Sequence, residues 1–114
     1  YFINRTSMRV PFYELITFEI NGVEHRGYCT SLSVGGVFLE LTSLSDEFVL
    51  DKKGRVLFSA GAIDNPFQCV AQIKNVSKSR PKGLGLMFVD LPDQARTDIE
   101  FYINNYVNKT QQAA

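Results

Sequence analysis

The chain has 114 residues, 12 Lys+Arg against 12 Asp+Glu, and 45% hydrophobic residues. Those values describe one packed domain with one core and exclude a disordered chain. A net charge of zero excludes the broad positive field of a nucleic-acid or acidic-membrane binder, so any anion site must be local.

The first segment of note is "RTSMR", which sets Arg5 and Arg9 four residues apart ahead of Val10-Pro11. Phe12 to Ile20 then alternates, with Ile16, Phe18 and Ile20 on one side and Thr17 and Glu19 on the other, which predicts a strand. Asn21-Gly22 is a two-residue hairpin signal, because a type I′ turn needs positive φ at both positions. That loop length predicts the register: Ile20 faces Val23, Phe18 faces His25 and Ile16 faces Gly27 on the core side, with Cys29 on the same face. Arg26 faces Thr17 outside, and Glu19 faces Glu24, a mildly unfavourable pair that the diagonal Arg26 relieves.

In "SLSVGGVFLEL", residues 31 to 36 read as a loop and Val37 to Leu41 as a third strand. Residues 43 to 54 read as irregular, with an apolar anchor at Phe48-Val49-Leu50. Arg55 to Ala60, Phe67 to Val76 and Leu84 to Val89 are the fourth, fifth and sixth predicted strands, the last two joined by a Pro- and Lys-containing turn. After Pro92-Asp93 the period changes: Ala95, Ile99, Tyr102, Ile103, Tyr106 and Val107 recur at three and four, the stripe of a terminal helix over 92–108. The expected fold is all-β with one C-terminal helix, a six-stranded antiparallel β-barrel with the helix plugging or flanking an open side.

Catalysis finds no carrier. His25 is the single histidine and has no Ser, Cys or carboxylate at a recognised spacing, so it reads as structural. "KGLG" at Lys82 to Gly85 precedes a strand rather than a helix and is no phosphate loop. Asp46, Glu47 and Asp51 are scattered on a loop. Cys29 and Cys69 are too few for a metal site or a disulfide scaffold. As free thiols in strands they point to a reducing compartment, expected to be the cytoplasm. Lys74, Lys78, Arg80 and Lys82 read as a solvated basic turn without interleaved aromatics, so no nucleic acid is expected. No apolar run approaches the ~18 residues of a membrane span. The first residue is Tyr1 and not Met, which leaves a preceding domain open.

Arginine forks match the guanine O6/N7 edge and phosphate, hydroxyls both donate and accept, and glycines admit close backbone approach. The two segments that supply these groups, taken in order, resemble the PilZ family. The resemblance rests on Arg5-x-x-x-Arg9 before Val10-Pro11, on "SLSVGGVFLEL" as the family's D/N-x-S-x-x-G segment entering a strand, and on "GLGLMFVDL" before the terminal helix. It implies a six-stranded barrel of a bacterial protein, without catalysis or a cofactor, whose ligand is the second messenger cyclic di-GMP. Arg5 and Arg9 would take its guanine and phosphate groups, and Ser31, Ser33, Gly35 and Gly36 would line the other side. Residues 1–11 would form a mobile clamping segment, 12–90 the barrel and 92–108 the helix, acting on a protein partner or a covalently linked output domain. One departure stands out: the family's Asp or Asn falls on Ser31, a shorter side chain that cannot accept both donors of a guanine edge. The alternative is therefore a degenerate PilZ-like adaptor that binds a protein and no nucleotide.

Overall fold

The computed structural model describes residues 8–59, 63 and 65–112, with side chains through 109. Six strands follow one another as β1 (Val10–Ile20), β2 (Val23–Leu32), β3 (Gly36–Glu40), β4 (Lys53–Phe58), β5 (Phe67–Ser77) and β6 (Gly83–Phe88), and helix α1 (Asp93–Gln112) ends the chain. They close into an antiparallel barrel in the order β1-β2-β3-β6-β5-β4, with β4 returning to β1. The expected all-β barrel with one terminal helix is the fold found.

The first hairpin forms as its turn residues require. Asn21 and Gly22 have φ of 54° and 79°, and the register pairs Ile20 with Val23, Phe18 with His25 and Ile16 with Gly27. Ile16, Phe18, Ile20 and Cys29 are buried. Val23 is a correction: next to the turn it is 47% exposed and lies outside the core. Glu19 does face Glu24, and on its other side β4 places Arg55 opposite Glu19.

Both barrel ends are plugged. At one end, Phe12, Phe58, Phe67 and Phe88 form a ring cluster with Phe58 and Phe67 stacked at 4.6 Å. Helix α1 closes over it: Ala95, Ile99 and Ile103 are buried, and the Tyr102 ring meets Phe12 edge-on at 5.2 Å. Each fully buried Ile or Phe contributes about 1.5–3 kcal/mol of transfer free energy, so the stripe anchors a helix that would be marginal alone. At the other end Phe48 packs against Phe18 and the His25 ring, at 6.5 and 4.8 Å. The expected three-residue anchor reduces to Phe48, since Val49 and Leu50 are exposed.

Several boundaries differ from expectation: β1 starts at Val10, inside the expected 1–11 segment, and the helix runs on to Gln112 beyond the expected 108. β4 starts at Lys53, two residues before Arg55, and stops at Phe58. Gly54 makes this possible: a Cβ there would sit 2.5 Å from the Glu19 carbonyl oxygen and 2.6 Å from the Phe18 ring, so glycine permits a close crossing that its low strand propensity conceals. Ser31 and Leu32 belong to β2 and Gly36 to β3, which shortens the expected 31–36 loop to residues 33–35.

Candidate functional site

The short loop between β2 and β3 is organised by Ser33. Its hydroxyl accepts from the Gly35 and Gly36 N–H groups at 3.2 and 3.1 Å and donates to the Gly36 carbonyl at 3.3 Å. The Ser33 N–H also donates to that carbonyl, at 2.9 Å. Ser33 is 3% exposed, so its side chain shapes the loop from within. The Phe88 N–H donates to the Gly35 carbonyl at 2.8 Å and ties the loop to the end of β6. Gly36 is a packing glycine: a Cβ would fall 2.0 Å from the Leu86 carbonyl oxygen.

Beside this loop lies an open cavity of about 740 Å³, within the range of small-ligand sites. Arg9, Thr30 and Ser31 form one wall, Ser33 and Gly35 one rim, and Phe38 and Met87 apolar flanks. Lys74, Asn75 and Pro81 complete the opposite side. Arg9 is exposed, and its Nη1 donates to Ser31 Oγ at 3.4 Å. Of the six expected residues, the cavity brings together Arg9, Ser31, Ser33 and Gly35. Gly36 stands behind the lining, and Arg5 lies outside the described residues.

Two strand irregularities build the cavity. Pairing of β2 with β3 skips Thr30, passing from Cys29–Leu39 to Ser31–Phe38. Pairing of β5 with β6 skips Lys74, passing from Ile73–Leu86 to Asn75–Gly85. Both skipped residues line the cavity, as expected of bulges that re-aim a side chain. Gly85 tolerates the bulge, because a Cβ there would meet the Asn75 Cβ at 3.1 Å. Thr30, Phe38, Lys74, Asn75 and Met87 were missed by sequence reasoning. A signal did exist: inward positions run Cys69, Ala71, Ile73 and then shift to Val76, and in β2 they run Gly27, Cys29 and then shift to Leu32. Such a change of parity marks a bulge.

The lining carries two cations, Arg9 and Lys74, and no carboxylate. Lys74 reaches out to Asp51 at 3.2 Å, both groups being largely exposed, so this pair is weak and exchangeable. Beneath the wall, burial pushes the Cys29 thiol up to about 12, against the lowering effect of the Arg9 charge. Among the described residues, no three His, Cys, Asp or Glu side chains converge as a metal site would need.

The other barrel end is polar but closed. Glu47 accepts from Asn21 at 3.2 Å and from Ser45 at 3.2 Å, and stands 3.5 Å from His25 Nε2. These contacts, Asn21 first, hold its carboxyl below the usual range. His25 thus braces the loop that seats Phe48.

Comparison with curated proteins gives no match. Among solved structures, the chain is similar to the PilZ domain with c-di-GMP of YcgR from Escherichia coli, with a TM-score of 0.68 and 14% identity over 97% of this chain and 98% of that one. It is also similar to YcgR from Escherichia coli in complex with c-di-GMP, with a TM-score of 0.63 and 15% identity over 96% of this chain and 49% of that one. At such identities the likeness is one of fold. The model of the PilZ domain family matches residues 3–105, a span that holds both arginines, the Ser33 loop, all six strands and most of the helix. The chain belongs to the PilZ domain family.

Proposed function

We propose that the chain is a non-enzymatic receptor domain for cyclic di-GMP, bound in the cavity beside the Ser33 loop. The observation that carries this reading is the contact of Arg9 with Ser31 at the mouth of a cation-lined, carboxylate-free cavity. Two guanines and two phosphates on one compact ligand match that chemistry. Arg5 and Arg9 act as guanidinium forks to guanine and phosphate, Ser31 meets a guanine edge, and Gly35 admits the ligand close to backbone. Ser33 and Gly36 act by holding the loop in shape. Residues 1–9, the part of the expected 1–11 segment that precedes β1, close over the ligand as a clamp, in an order transition that alters how the domain meets a protein partner or a linked output domain. The setting is the bacterial cytoplasm.

Ser31 also favours a second reading, a PilZ adaptor that binds a protein partner without nucleotide. Calorimetry of the purified chain with cyclic di-GMP at moderate salt separates the two. Heat of binding, abolished by Arg9→Ala and retained by Arg55→Ala on the far side of the barrel, is the expected result. No heat at about 100 μM ligand, equivalent to roughly −5.5 kcal/mol, moves the assignment to the adaptor.

A further inference from the structure

A second cavity, of about 710 Å³, lies on the outer barrel surface between β1, β2, β3 and the β5–β6 turn. Its apolar surface comes from Leu15 and Tyr28, which face each other across β1 and β2 and remain 44% and 52% exposed. Arg26, Arg80 and Lys82 line it with a single carboxylate, Glu40. In a chain of net charge zero, that is a local excess of two positive charges. Among the described residues the ion pairs are His25–Glu47 and Lys74–Asp51, so neither Arg26 nor Arg80 has a carboxylate partner there. The basic turn that lacks aromatics in sequence therefore lies beside an exposed tyrosine in space.

We propose that this groove docks an acidic segment of a protein partner, with an apolar side chain between its carboxylates seated on Leu15 and Tyr28. The inference supplies the surface and the chemistry for the partner in the function proposed above, yet the contact itself needs no nucleotide. Charge complementarity selects an acidic occupant. The closed barrel offers no free strand edge here, so recognition is by side chains and not by strand addition. Glu40 within the groove would oppose a phosphate chain, and the protein lacks the overall field of a nucleic-acid binder. A phosphate chain carries a charge on every unit, whereas a peptide sets its carboxylates at discrete positions and can leave the one beside Glu40 uncharged. Pro81 lines both this groove and the Arg9 cavity, so the two sites share a wall.

The test is a nitrogen-15 NMR titration of the purified chain with the hexapeptide DELFED, alongside DESSED, KKLFKK and hexauridylate. Saturable shifts of the Leu15, Tyr28, Thr42 and Lys82 amides with DELFED are expected, weakened at least tenfold by Arg26→Glu with Arg80→Glu. Both arginines are exposed, and Arg80→Glu alone should weaken binding in the same direction if the double variant loses its folded spectrum. The proposal is overturned by no saturable shift at about 1 mM peptide, the weak end of specific association, by equal shifts from DESSED or KKLFKK, or by tighter binding of hexauridylate. Cyclic di-GMP titrated separately should move Ser31 and Gly35 instead. Failure of that arm bears on the nucleotide reading and leaves the peptide groove standing.

Discussion

Tyr102 on α1 donates a hydrogen bond to the Pro11 carbonyl at 2.9 Å, across 91 residues of sequence. The acceptor lies two residues after Arg9, so the helix is fastened to the start of the strand that follows this arginine. Tyr102→Phe keeps the ring against Phe12 and removes only this bond. We expect a loss of about 1 kcal/mol, read as a shift of a few degrees in the thermal midpoint for a domain of this size. An unchanged midpoint would show that solvent replaces the bond without cost.

Ser31 is where affinity should respond most directly. A guanine edge presents N1–H and N2–H₂ as parallel donors, and a carboxylate accepts both where a hydroxyl accepts one. Ser31→Asp should tighten cyclic di-GMP binding by about 1–2 kcal/mol through charge-assisted bonds, and Ser31→Asn should fall between. Arg9, already 3.4 Å from the Ser31 oxygen, is placed to offset the new charge. Calorimetric affinities that leave Asp and Asn no better than Ser would remove Ser31 from the guanine edge.

Gly36 separates packing from recognition. A Cβ there would lie 2.0 Å from the Leu86 carbonyl oxygen, so Gly36→Ala must part β3 from β6. Overpacking of this kind costs about 1–3 kcal/mol, and chemical denaturation should show it in the absence of any ligand. Full stability together with lost nucleotide binding would instead make Gly36 a ligand contact.

The two thiols should be silent in the native state. Burial pushes Cys29 to about 12 and, with the Asp90 charge adding to it, Cys69 to about 11. An ordinary thiol ionises near pH ~8.5, so the folded state binds more protons than the unfolded state between that value and the folded ones. Stability from these groups is therefore complete below the unfolded pKa and falls as pH rises through that window. Ellman's reagent at neutral pH should label neither cysteine until denaturant is added. Rapid labelling of the native protein would contradict the burial.

The features legible in the amino-acid order are local or periodic. Asn21-Gly22 dictated its turn, and a two-residue turn leaves one register, so every pair from Ile20–Val23 to Ile16–Gly27 could be read in advance. The helix stripe was legible because 3.6-residue spacing survives any tertiary context. The ordered combination of Arg5 and Arg9 before Val10-Pro11, the "SLSVGGVFLEL" segment and "GLGLMFVDL" ahead of the helix carried the resemblance to the family. The remainder depends on contacts between distant strands. Whether Ser33 turns its hydroxyl outward or into its own loop depends on how β3 meets β6. The start of β4 depends on Gly54 passing under Phe18, a close approach that propensity cannot register. Lys74 reaches the Arg9 cavity because a bulge against β6 turns it there, and Arg80 meets Tyr28 because barrel closure carries the β5–β6 turn beside β2 and β3. Closure is a property of all six strands together, so the surfaces it creates are written in no single segment.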